Sequence, residues 1–282
     1  MNARAMVTWS AAALVVDLAT DNPIYRGIVV LIALDVLLVL TPPARSLRPL
    51  LLAIPLFGAL AVEFNVLLSH TGAHVLVALP ADWPLVGGPL TLESAAYGLT
   101  VALGIAGAVL AVAPISLVLE THELLDALPH GLERSALVVA SALNLAPGIG
   151  RSAMAIRDAE KMRGWRPRGP RSWADVLVPT ILSAIEDAVA LAEAMEARAY
   201  GTQARSRYAP GRWRPRDTII VATALSAAGL VLAARLAGRS LDWQPYPTLS
   251  APTIDLALIG ACLLLLVPVV PVLRWPWSDS SD

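Results

Sequence analysis

Two arginines in this sequence stand where a guanidinium can meet another surface. Arg163 lies in Met162-Arg163-Gly164 and Arg198 in Ala197-Arg198-Ala199, thirty-five residues apart. Each ends a run with helical patterning. An arginine in a last helical turn complements the negative end of the helix dipole, and that alone needs no partner. Two such ends on either side of a proline-rich link point further, to docking. Small or apolar neighbours let a partner approach, and the fixed fork of guanidinium donors suits a carboxylate. Glu160, Met195, Glu196 and Gly201 flank the two ends and support them.

Other chemistry-bearing residues read as structural. His70 and His74 are four apart, a spacing that on a helix puts both on one face and can hold a metal. No third ligand stands near, since Asp82 lies beyond a proline. They are expected to be polar residues at the outer end of a span, with no metal. His122 and His130, beside Glu120, Glu123 and Asp126, read as a solvated helix start and not as a catalytic cluster. Asp35, Glu63 and Asp255 lie in or near apolar runs, where acids are costly and often functional. They are scattered and lack an adjacent basic residue. The single cysteine, Cys262, sits in an apolar run, so neither an intramolecular disulfide nor a cysteine metal site is available. No Gly-x-x-x-x-Gly-Lys-Ser/Thr loop is present, so ATP chemistry would have to come from another chain.

These residues are carried by a membrane protein. Of 282 residues, 56% are hydrophobic and 15% charged, against about 25% charged in soluble domains. Six spans are predicted: Ala5–Ala19, short and interrupted by Asp17, then Ile24–Leu40, Leu47–Ser69, Leu92–Leu119, Thr218–Leu236 and Thr253–Leu273. Pro42-Pro43 stops the second, and Trp275 and Trp277 suit a headgroup boundary after the sixth. The first run reaches Asp17 and Asp21 without a small-residue cleavage pattern, so no cleavable signal peptide is expected. The small-residue run Gly98 to Ala113, with Gly104 and Gly107, lets helices pack closely, within the chain or against a partner.

The distribution of charge orients the chain. Thirteen of 21 basic residues fall between Arg151 and Arg216, against seven acidic ones, a net of +6. By the positive-inside rule that stretch is cytoplasmic, and so are both termini. The loop from His70 to Thr91 has no Lys or Arg and falls outside; Arg26, Arg235 and Arg239 run against the bias. Three regions follow: 1–119 with four spans, a cytoplasmic segment at 120–217, and 218–282 with two spans. The middle segment is predicted to hold two amphipathic helices. One runs from Ile149, or as early as Leu132, to Arg163, stopped by Gly164 with Pro167 and Pro170 behind it. The other runs from Ser172 to Arg198, with Pro179 as a kink or first turn and one apolar stripe of Leu177, Ile181, Ile185, Ala188, Ala192 and Met195. The fold class is all-α, a polytopic membrane protein with two long cytoplasmic helices.

Three stretches carry a resemblance. Thr20-Asp21-Asn22-Pro23, Ile156-Arg157-Asp158-Ala159-Glu160-Lys161-Met162-Arg163-Gly164 behind Pro147, and Ala192-Glu193-Ala194-Met195-Glu196-Ala197-Arg198-Ala199-Tyr200-Gly201 together resemble the T component, the transmembrane coupling subunit, of energy-coupling factor (ECF) transporters, including the cobalt-transport type. The likeness covers nearly the whole chain, and the last stretch is the most specific. The family usually reads Ala-Arg-Gly at both helix ends, so the flanks here depart while the arginines stay; Asn144 stands where an arginine is often found.

The resemblance implies a coupling subunit with no nucleotide site, no cofactor and no nucleic-acid partner, set in the cell membrane. It implies two ABC-type ATPase subunits held on the cytoplasmic side through Arg163 and Arg198, and an S component in the bilayer that captures a vitamin or metal ion. Closure of the ATPases would move the two helices and reorient the S component. The competing readings are a stand-alone secondary carrier, which would favour an internal repeat and broken helices that the sequence lacks, and a membrane-embedded enzyme, which would need clustered acids or histidines at one face.

Overall fold

The structure, a computed structural model, describes residues 2–41, 46–80, 87–119, 133–167, 169–198, 213–239 and 241–270. It is almost entirely helical, as expected. Contacts divide it into two compact units, Met1–Glu120 with Gly211–Asp282, and Thr121–Pro210.

The first unit contains α1 (Ala3–Leu18), α2 (Pro23–Leu40), α3 (Arg48–Leu68), α4 (Leu92–Val118), α7 (Pro215–Leu236) and α8 (Leu256–Leu263). Among the described residues α2, α3, α4 and α7 are long and apolar enough to cross a membrane. At 1.5 Å per residue α1 reaches only about 24 Å, short of a hydrocarbon core of about 30 Å.

The sixth expected span breaks early. After Leu263 the chain tightens into a 3₁₀ turn over Leu264–Leu266, and residues beyond 270 lie outside the described set. Pro268 accounts for the break, because its ring clashes with the carbonyl of Leu264 and it has no N–H to donate. Trp9, fully buried on α1, donates its indole N–H to the carbonyl of Leu265 at 2.9 Å. Around this contact lies the core: Val16 of α1, Tyr25 and Val36 of α2, Leu110 of α4, Ala224 and Val231 of α7, and Cys262 of α8.

The turn between α1 and α2 is a knot of polar contacts. Asn22 caps α2 by accepting from the amide of Ile24, and Pro23 takes the first helical position, where a missing N–H costs nothing. The Asn22 amide reaches the carbonyl of Thr253 at 2.8 Å. Leu241 accepts from both the Asp21 amide and the Thr20 hydroxyl. The motif therefore fixes the segment between α7 and α8 against the start of α2.

One element was not expected. Val75–Ala78 and Pro89–Thr91 form β1 and β2, a small antiparallel pair. Glu93, buried at the start of α4, holds the chain leading into it, accepting from the amides of Ala73 and His74 and lying 2.7 Å from His74 Nδ1.

The second unit contains α5 (Glu133–Met162) and α6 (Ala174–Ala197), which pack on each other. α5 runs unbroken through Pro147 and starts sixteen residues before Ile149, as the earlier of the two starts allowed. A 3₁₀ turn over Pro170–Trp173 leads into α6, and Pro179 lies inside that helix, not at its first turn. The link between the helices is braced. Trp165 meets Trp173 edge-on with ring centroids 5.6 Å apart, and its indole donates to the Ser172 carbonyl at 3.0 Å.

Candidate functional site

The end of α5 closes as a Schellman motif. The Gly164 amide bonds the Lys161 carbonyl at 3.0 Å and the Trp165 amide bonds that of Glu160 at 2.9 Å. This pairing needs a left-handed residue at Gly164, whose φ is +85°. Met162 is the last helical residue and is well exposed. Arg163 follows with its side chain 75% exposed, and its Nη1 donates to Glu160 Oε1 at 2.9 Å. A surface pair of this i,i+3 type contributes only about 0.3–0.5 kcal/mol, so it presents the guanidinium without locking it away.

Nothing lies within 4 Å of where a Cβ on Gly164 would sit. Gly164→Ala should therefore cost through backbone strain alone, about 1–2 kcal/mol. The expected result is faster hydrogen exchange at the amides of residues 163–165 while the middle of α5 stays protected.

The end of α6 is built differently. Ala197 is its last residue, and Arg198 caps it at φ −92°, ψ 13°, its amide bonding the Glu196 carbonyl. Arg198 and Glu196 are exposed and Met195 is half-buried. Arg198 has no ion pair among the described residues. Ala199 and Gly201 lie outside the described set. The two arginines thus sit at the C-terminal ends of two helices in one compact unit, both open to solvent.

The apolar stripe of α6 is not buried: Leu177, Ile181 and Ile185 are each more than half exposed, Ala188 and Ala192 are exposed, and only Met195 is half-buried. Val178, Leu182 and Val189 beside it are also more than half exposed.

The histidine pair fails on geometry. α3 stops at Leu68, so His70 and His74 share no helical face. His74 faces Glu93, and the buried Nδ1 of His70 has no hydrogen-bond partner. Among the described residues no three His, Cys, Asp or Glu side chains gather as metal ligands. Asp255 is the N-cap of α8, accepting from the Ala257 amide, while Asp35 and Glu63 are exposed on α2 and α3. His122, His130, Glu120, Glu123 and Asp126 fall outside the described residues.

The family model described as cobalt transport protein, CbiQ, matches residues 1–208. The chain belongs to that family. The CbiQ match includes the Thr20–Pro23 turn and both helix-end arginines, and it stops before α7. A curated relative, the energy-coupling factor transporter transmembrane protein EcfT of Lactobacillus helveticus (strain DPC 4571), is 31% identical over 108 residues. That alignment covers 36% of this chain and 39% of the relative's own length.

Two acids of this CbiQ-family chain, Glu93 and Asp17, are buried where the sequence pattern does not foretell it. Glu93 was hidden because it follows Leu92 at a span's start and looks like an ordinary first-turn acid. Asp17 carries a signal, a carboxylate inside an apolar run, but in so short a run it reads as an interruption of a span.

Proposed function

We propose that the chain is the transmembrane coupling subunit of an ATP-driven importer of the ECF type, joining two ATPase subunits to a membrane subunit that captures a vitamin or metal ion. The observation that carries this is the pair of exposed arginines, Arg163 and Arg198, each at the C-terminal end of a long helix. Membership of the cobalt transport protein family and the likeness to an energy-coupling factor transmembrane protein support it. The exposed stripe of α6 suits the apolar surface of a membrane-embedded S component.

The second unit faces the cytoplasm in this reading, as the net charge of +6 between Arg151 and Arg216 favours. Of the basic residues that run against that bias, Arg26 pairs with Asp21 at 3.0 Å and Arg235 with Asp242 at 2.9 Å.

The chain itself does no chemistry. Purified without partners, it should hydrolyse no ATP, and activity should appear only when the ATPases are added. Turnover that persists in a preparation shown by mass spectrometry to lack ATPase chains would rule the reading out.

A further inference from the structure

The strand pair between α3 and α4 carries apolar side chains that the described residues leave uncovered. Val75, Leu76 and Val77 of β1 are 54%, 60% and 55% exposed, and Ala78 is exposed beside them. Successive side chains of a strand point to opposite faces. Val75 and Val77 therefore stand on one face of β1, Leu76 and Ala78 on the other. A sheet with one face in water shows polar residues on that face. β1 shows none on either.

The pair cannot swing away from this position, because its base is pinned. The buried carboxylate of Glu93 accepts from the amides of Ala73 and His74. The Thr91 hydroxyl donates to the Thr71 carbonyl at 2.9 Å, and the Leu92 amide to that of His74 at 2.9 Å. The Ser69 and Tyr246 hydroxyls meet at 2.9 Å, which ties the end of α3 to the segment between α7 and α8.

That base sits at the ends of two helices long and apolar enough to cross a membrane. β2 ends at Thr91 and α4 starts at Leu92, while six residues separate the end of α3 from β1. Four residues of strand reach only about 13 Å. The bare apolar surface also continues from α3, which has no buried residue and ends on exposed Phe64 and Leu68. From His70 to Thr91 there is no Lys or Arg to resist an apolar surrounding. A protein partner would cover one face of so small a sheet, whereas lipid surrounds both. The depth is limited by the backbone. In a two-stranded sheet each strand keeps one unpaired edge, which hydrocarbon would leave unsatisfied and headgroups and water do not.

We propose that β1 and β2 form an interfacial anchor, seated in the headgroup–acyl boundary of the bilayer with phospholipid on both faces. The anchor requires that α3 and α4 span the membrane; it does not depend on the coupling role.

The test uses the full chain, without partners, in liposomes of phosphatidylethanolamine and phosphatidylglycerol. Cys262 is replaced by alanine, and a nitroxide is attached through Leu76→Cys or, on the opposite face, Val77→Cys. Both positions are exposed, so the label displaces no packing. Collision rates with oxygen, which concentrates in lipid, and with a water-soluble nickel chelate are normalised to those of the free label in water. At both positions oxygen access should exceed nickel access several-fold. A second measurement uses the wild-type chain and so survives any misfolding of the variants. A phospholipid with a photoreactive group high on its acyl chain is activated, and adducts are mapped by mass spectrometry; they are expected within Val75–Ala78. The proposal is overturned if either label meets the nickel chelate as freely as the label in water does. It is equally overturned if the wild-type chain carries no lipid adduct within Val75–Ala78.

Discussion

If the chain is the proposed coupling subunit, replacing Arg163 and Arg198 together by alanine should release it from the ATPase subunits and abolish uptake. Each arginine ends a helix with its side chain exposed, so neither substitution removes buried packing from this chain. The one local contact at risk, Arg163 to Glu160 at 2.9 Å, is a surface i,i+3 pair of small worth. Loss of binding would therefore report docking and not unfolding. If each guanidinium meets a buried carboxylate on a partner, each single change should weaken the complex by about 2–5 kcal/mol. The two losses should add if each arginine docks on its own ATPase, since distant sites couple little. Lysine at either position should rescue only partly, because an ammonium lacks the two-pronged fork. The measurement is the yield of ATPase that co-purifies with the tagged chain from membranes, alongside substrate uptake by cells. A double mutant that carries its ATPases at wild-type yield would contradict the docking role.

Much of the membrane part was legible because apolar length is a robust signal. The expected spans Ile24–Leu40, Leu47–Ser69 and Leu92–Leu119 differ from α2, α3 and α4 by a residue or so at either end. The stop at Gly164 was equally plain, since a glycine followed by prolines has few other uses. The early part of α5 was harder to place because Pro147 reads as a boundary. The structure continues the helix through it, since a proline costs one hydrogen bond and a kink but does not forbid a long helix. The strand pair was missed because Val75-Leu76-Val77-Ala78 is too short to show a period and its side chains stay exposed. The interruption of the last expected span after Leu263 is not visible in the sequence pattern, because hydropathy does not register the backbone effect of Pro268. Of the proposed docking site, the sequence shows two arginines at helix ends. That they are exposed at the ends of mutually packed helices required the structure, since sequence spacing says nothing about which face is covered.

The small-residue run of α4 also left a question that the structure answers. Its glycines face this chain's own helices: Gly98 meets α3, Gly104 lies against the Arg26 guanidinium of α2, and Gly107 meets Asp17 of α1. Gly98 is the most demanding of them. A Cβ there would sit 2.8 Å from the Val62 Cα, 3.0 Å from the Asn65 Cβ and 3.2 Å from the Val62 carbonyl oxygen. Two of these atoms are backbone and the third is the root of a side chain, so no rotamer change relieves the overlap and α3 itself must move. That helix has little else to hold it. It packs chiefly on α4 and contributes no fully buried residue. In lipid, where apolar side chains gain little by meeting one another, such close backbone approach is the main source of helix association. Gly98→Ala should therefore destabilise the fold by about 1–3 kcal/mol, and Gly98→Leu should do more, lowering the temperature at which the detergent-solubilised chain aggregates. Gly229→Ala in α7 is the matched control. Nothing lies within 4 Å of its would-be Cβ, and alanine in place of glycine inside a helix gains up to about 1 kcal/mol. Opposite shifts from the same chemical change would show that the contact with Val62, and not helix propensity, sets the sign. A Gly98→Ala protein as stable as Gly229→Ala would mean that α3 does not approach α4 at this point.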